Sequence, residues 1–247
     1  MKIAIISDIH GNMQALQAVM KNIRLNKCDK IIGLGDYAMA GPQPVEVVDW
    51  FIENKQEKEL ILIQGNTDKL IAEYEEGVYQ AVKAKFPVMA EALKDDVELL
   101  NWRHKDFLRS LPNQLNLEFE GVKFLLVHGS PRRNNEDILP DTPMETVEEM
   151  VKDTDAAVIL CGHTHIPCGF QTTTKKTVLN VGSVGRPFTE EPQACYLIVT
   201  VENGKLLIQH NFVKYDNEQA ASILRERNFE GADKIADILI TPDKRHV

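Results

Sequence analysis

Five times along this chain a short apolar run stops at a small cluster of Asp, His, Asn and Gly. The clusters are Asp8-Ile9-His10-Gly11-Asn12, Gly35-Asp36, Gly65-Asn66-Thr67-Asp68, His128-Gly129 and Gly162-His163-Thr164-His165. The runs before them (Lys2 to Ser7, Lys30 to Leu34, Leu60 to Gln64, Val122 to Val127 and Ala156 to Leu160) are rich in Ile, Val and Leu, and read as buried strands. Loops at the carboxyl ends of strands in an open α/β sheet converge on one crevice, so groups far apart in sequence can meet there. The pattern therefore predicts an α/β fold with one polar site at the strand ends.

The rest of the chain fits that frame. Ala15, Leu16, Val19, Met20 and Ile23 recur at helical spacing behind Asn12, a plausible N-cap. Gly41-Pro42 leads into a second helix around Val45 to Ile52. From about Lys69 to Leu111 there is no strand-like run, little glycine and much Ala, Glu, Lys and Leu, which predicts two or three helices. This stretch reads as a helical insertion beside the site that either shapes substrate access or serves as a structural cap. Strands return at Leu115 to Phe119, joined to Val122 by Glu120-Gly121, then at Thr177 to Val181, Ala194 to Val201 and Lys205 to Phe212, with a hairpin turn at Asn203-Gly204. The tail from Asp216 reads as helical, then polar. The expected organisation is a single domain over 1–247 with a helical insertion at about 69–111.

Composition narrows the function. With 247 residues, 43% hydrophobic and 26% charged, the chain can bury a sizeable core. Its formal net charge of −9, from 37 acidic and 28 basic residues, and its lack of a basic stripe argue against nucleic acid as a partner. No signal-peptide pattern stands at Met1 to Ser7 and no apolar run is long enough to span a bilayer, so the expectation is a cytoplasmic protein without a membrane partner. Cys28, Cys161, Cys168 and Cys195 lack CxxC spacing and read as reduced, small buried residues rather than metal ligands.

The chemistry of the five clusters is that of a metal site. Asp, His and Asn are donors suited to Mn²⁺, Fe or Zn²⁺ rather than to a soft thiolate site, and four of the seven histidines sit in the clusters. Asp8 and His10, two apart, would point to the same side of an extended segment and share one ion, and His163 and His165 repeat that spacing. Asp36, after a glycine that permits a sharp turn, is the natural carboxylate to bridge two ions.

These motifs, D-x-H, G-D, G-N-x-D, a lone His and G-H-x-H from Asp8 to His165, resemble those of the calcineurin-like metallophosphoesterases, in particular the small bacterial and archaeal phosphodiesterase branch. The resemblance implies a four-layer α-β-β-α sandwich of two mixed sheets flanked by helices. It implies that Asp8, His10, Asp36 and His165 hold one divalent metal, while Asp36, Asn66, His128 and His163 hold a second. Mn²⁺ is the first choice and Fe, Zn²⁺ or Ni²⁺ the alternatives. The implied activity is phosphoric ester hydrolysis, diesters before monoesters, by a water activated between two metals and acting on a small phosphorylated substrate. Two other readings stand beside it. One is a binding scaffold that keeps the fold with weak catalysis, against which the intact ligand set counts. The other is a nuclease, against which the charge balance counts.

One position departs from the family pattern. Where many members have His in G-N-H-D, this chain has Thr67, and that histidine is the usual proton donor to the leaving group. A hydroxyl cannot take that role at neutral pH, and loss of a general acid costs on the order of a hundredfold, so good leaving groups are expected to be preferred. His104 is an alternative donor, although a lone histidine there more often lies solvated at the surface, and the role of Asp68 is open. Three residues are candidates for phosphate binding: Asn66, Asn12 (which reads more readily as a helix cap), and Arg186 in the glycine-rich run Asn180 to Pro187, whose alternative is a plain turn. Neither the substrate nor the oligomeric state is legible.

Overall fold

The computed structural model describes residues 1–55 and 60–242. The polar tail beyond 242 lies outside them. The first strand, β1 (Lys2–Ile6), shows how the layers arise. Its side chains alternate between two cores: Ile3 and Ile5 point into one, Ala4 and Ile6 into another. A strand buried on both faces has to be apolar throughout, which explains the unbroken Ile-Ala-Ile-Ile run.

Beside β1 lie β2 (Lys30–Gly33) and then β3 (Leu60–Leu62), both parallel to it, and on its other side the antiparallel β9 (Ala194–Glu202), to which β10 (Lys205–Val213) pairs antiparallel in turn. The order of this sheet is β10-β9-β1-β2-β3. The second sheet has the order β4-β5-β6-β8-β7, built from β4 (Gln114–Phe119), β5 (Val122–Val127), β6 (Val158–Cys161), β7 (Cys168–Gln171) and β8 (Thr177–Asn180). The β5, β6 and β8 strands are parallel, and β4 and β7 run antiparallel at the edges. Ile3, Ile5, Ile32 and Leu197 of the first sheet meet Phe124, Leu126, Leu160 and Leu179 of the second in a core between the sheets.

Helices cover both outer faces. On the first sheet pack α1 (Met13–Leu25), α2 (Pro44–Asn54), α8 (Asn217–Glu226) and α9 (Ala232–Ile240) through Leu16, Val19, Val48, Phe51, Leu224 and Ile235. On the second, α7 (Met144–Val151) buries Val147 and Val151 against Leu125 and Ile159. The result is the expected four-layer sandwich of two mixed sheets.

The stretch between β3 and β4 holds four helices, one more than expected: α3 (Asn66–Ala72), α4 (Glu76–Lys83), α5 (Pro87–Leu99) and α6 (Trp102–Ser110). The extra one is α3, which starts at Asn66 inside a polar cluster and is only two turns long. Two elements, β7 and α7, fall where no element was expected. Among the described residues no helix is long and apolar enough to cross a membrane.

Candidate metal centre

All five polar clusters meet where the parallel strands of both sheets end. Asp8 and His10 follow β1, Asp36 follows β2, Asn66 follows β3, His128 follows β5, and His163 and His165 follow β6. Asp8 and His10 are not on an extended segment, as their spacing suggested. Asp8 (φ 55°), His10 (φ 46°), Asp36 (φ 56°), His163 (φ 67°) and His165 (φ 62°) all have left-handed backbones. Non-glycine residues rarely adopt this region, and its concentration on five candidate ligands marks a site where the surrounding fold imposes strain. Close loop packing supplies the constraint. A Cβ on Gly65 would overlap the Asp36 carboxylate, and one on Gly162 would overlap Ser7 and Asp8.

Two groupings share this space: Asp8, His10 and His165, and Asp8, Asp36 and His128, each with ligand atoms within 4.8 Å of one another. Asp36 Oδ2 lies 3.8 Å from His10 Nε2 and 3.4 Å from His128 Nε2, between the two groupings. Each carboxylate is anchored by one oxygen and offers the other. Asp8 Oδ2 accepts from His163 N–H at 3.0 Å and Asp36 Oδ1 from Thr67 N–H at 2.9 Å. Asp8 Oδ1, fully buried, has no hydrogen-bond donor among the described residues, yet sits 3.3 Å from His165 Nε2.

The imidazoles are oriented by backbone carbonyls. Nδ1 of His10 donates to Met39 O (2.9 Å), Nδ1 of His128 to Leu34 O (2.8 Å), and Nδ1 of His165 to Arg186 O (2.7 Å). With the proton held at Nδ1, a neutral imidazole presents its Nε2 lone pair inward. Burial, with the charges of His165 and Arg186, pushes His10 down to about 3, so His10 is neutral. Its Nε2 nevertheless lies 3.1 Å from His165 Nε2, both facing the orphaned Asp8 oxygen. A cation among these three atoms would resolve the arrangement, and histidines oriented by a carbonyl in this way are usual among metal ligands. Both carboxylates are held ionised. Burial raises Asp36, but His128 and His10 and the Thr67 amide outweigh it, and burial of Asp8 is likewise outweighed by His165 and His128. His128 goes the other way, because the charges of Asp36 and Asp8 overcome burial and lift it to about 10. A divalent cation would take the place of that proton.

The remaining candidates divide. Asn66 brings Oδ1 to 3.0 Å from His128 Nε2, extending the second grouping. His163 packs its ring 5.3 Å from that of His128, with Nε2 3.3 Å from Asp137 Oδ1. Asn66 and Arg186 line the cleft over the site, whereas Asn12 does not. Asn12 instead caps α1 by accepting from Ala15 N–H (3.1 Å) and donates to Gly185 O (2.8 Å). The glycine-rich run is a built support, not a plain turn: Ser183 Oγ and Gly185 N–H both donate to Asp8 O, at 2.8 and 2.9 Å. Arg186 carries a buried Nε without a hydrogen-bond partner among the described residues.

Thr67 lines the cleft, its hydroxyl turned to Ala38 O at 3.3 Å. Asp68 accepts from the amides of Asp36 (2.8 Å), Tyr37 (2.9 Å) and Gly65 (2.9 Å), tying two ligand loops together. His104 is not at the surface: it is buried, closes a capping box with Asn101 on α6 and lies 3.2 Å from Asp49, and it does not line the cleft. Asp137 and Asn135 do line it and were not anticipated. Their signal was the polar run Arg132 to Asp137 behind the lone His128.

The chain is similar in sequence and fold to known proteins. Residues 1–204 match the model of the calcineurin-like phosphoesterase superfamily domain. An uncharacterised protein of Methanocaldococcus jannaschii is 28% identical over 241 residues, covering 88% of this chain and 89% of its own. A hypothetical protein of Pyrococcus horikoshii shares the fold with a TM-score of 0.87 at 24% identity, over 99% of both chains. A metallophosphoesterase of Sphaerobacter thermophilus does so with a TM-score of 0.76 at 24% identity, over 97% of this chain and 98% of its own.

Proposed function

We propose, for a chain that belongs to the calcineurin-like phosphoesterase superfamily, that it hydrolyses small phosphate esters with two divalent ions, Mn²⁺ the first candidate. One ion would be held by Asp8, His10, Asp36 and His165, the other by Asp36, Asn66, His128 and His163. The observation that carries this reading is the pair of groupings with an orphaned, ionised Asp8 oxygen facing two inward imidazole nitrogens. When bound, the ions supply Lewis acidity that lowers the pKa of a water and neutralises phosphoryl charge.

The chain's own residues do the rest. The Nε of Arg186, which has no hydrogen-bond partner among the described residues, is a donor free for a phosphoryl oxygen, and a guanidinium suits that geometry. Asp68 and the glycine-rich run hold the ligand loops against one another. Thr67 offers no proton to a departing alkoxide, and His104 is pinned away from the cleft. Leaving groups that depart without protonation, such as phenolates, are therefore preferred.

The test is hydrolysis of a bis-aryl phosphodiester and a mono-aryl phosphate by chelator-treated protein with Mn²⁺ returned, beside Asp36→Ala. Turnover that needs both the metal and Asp36 supports the reading, and the faster substrate gives the class. No metal-dependent turnover of either ester, across several divalent metals, overturns it in favour of a scaffold.

A further inference from the structure

The cleft over the ligands has two unlike walls. One is the polar array already described. The other comes from the helices that join β3 to β4 in the chain: Leu70 on α3, Val78 and Val82 on α4, Phe86 just before α5 and Met89 in its first turn. Val78 and Val82 stand one turn apart, so α4 presents an apolar stripe, yet its one buried residue is Tyr79. The stripe is only half spent on packing, and the remainder borders the cleft. Phe86 leaves 53% of its surface exposed there. A ring left open to water forgoes burial that packing would have given it.

The two walls touch. Arg186 Nη1 lies 3.7 Å from Met89 Sδ, so the apolar surface begins where a phosphate held by Arg186 would end. The cleft measures about 690 Å³, the size of a pocket that encloses a drug-sized organic group and far more than a phosphate needs. On the helical side Lys85 is the one charged lining residue among the described residues. A sugar or a peptide would set hydroxyls or amides against a wall with few partners for them, which is costly.

We infer that this wall is the recognition surface for the organic part of the substrate, which carries an apolar group of about aryl size seated against Val82, Phe86 and Met89. The inference rests on the phosphoesterase reading and assigns its specificity to α4 and the start of α5.

The experiment is isothermal titration of the full chain, loaded with Mn²⁺, with phenylphosphonate and with methylphosphonate. The two share a phosphonate headgroup, their affinities are compared at equal dianion concentration so that the apolar group is the difference read, and the P–C bond lets binding be read without turnover. Burial of a ring on this wall is expected to make phenylphosphonate bind about tenfold tighter or more. The double substitution Val82→Ser and Phe86→Ser should bring the ratio to about twofold or less, while Phe86→Leu, which keeps the apolar surface, should retain most of it. Equal affinities, or a preference that survives the double substitution, overturn the inference and leave the metal site standing. Binding of neither phosphonate by the metal-loaded chain overturns it together with the reading beneath it.

Discussion

Asp68 is a residue outside the candidate ligand set that holds the loops presenting it. Its carboxylate accepts three backbone N–H groups, from Asp36, Tyr37 and Gly65, and so fixes the loops that present Asp36 and Asn66. Burial, with the nearby charge of Asp36, raises it to about 7, while the amides of Gly65 and Tyr37 favour its ionised form. Asp68→Asn leaves one oxygen and adds an NH₂ that must face one of these N–H groups. Mn²⁺ affinity should fall about 10- to 100-fold, the usual cost of removing a supporting partner, as read by titration of the chelator-treated protein. An unchanged affinity would show that the loops hold their geometry without the carboxylate. The sequence could place Asp68 in its cluster but not assign its partners, because they are backbone amides. The carbonyls of Met39, Leu34 and Arg186 that orient three imidazoles were invisible for the same reason.

At the scale of elements, legibility followed burial. Strands buried on both faces, such as β1 and β6, announce themselves as unbroken Ile, Val and Leu runs. The β7 strand, Cys168–Gln171, is a four-residue edge strand with alternating half-exposed positions, too short and too mixed to show a period. The loop from β5 to α7 was also opaque, though it carries its own network. Glu136 takes hydrogen bonds from Arg132, Arg133 and Ser130. The Arg132 contact leads in bringing its pKa down from the ordinary 4.5 to about 2, against a rise from burial. A depressed folded-state pKa contributes stability above about pH 4.5 that is lost as pH falls towards 2. With Arg132 and Arg133 well exposed, the contribution should be no more than about 1 kcal/mol. Urea unfolding of Glu136→Gln should therefore show a loss against the parent chain at pH 7 that narrows by pH 3. A loss that stays constant across that range would assign the effect to packing instead of charge.

Taken whole, the site is a seam between the two sheets. Asp8, His10, Asp36 and Asn66 come from loops of the first sheet, and His128, His163, His165 and Arg186 from loops of the second. No disulfide joins the sheets here, since the four cysteines are free. Two ionised carboxylates, Asp8 and Asp36, sit side by side on the first-sheet side of this seam and repel, in a chain whose net charge is already −9. Cations shared between the loops would remove that repulsion and tie the sheets together, so metal binding and folding should be coupled. A ligand present at a hundred times its Kd stabilises by about 2.7 kcal/mol. For a chain of this length each kcal/mol moves Tm by about 2–4 °C, so returning Mn²⁺ to chelator-treated protein should raise Tm by about 5–10 °C per site. The same addition to a variant carrying Asp8→Ala and Asp36→Ala should raise it by little. If Mn²⁺ leaves the Tm of the parent chain unchanged, the loops are held without a cation and the inward geometry of His10 and His165 needs another cause.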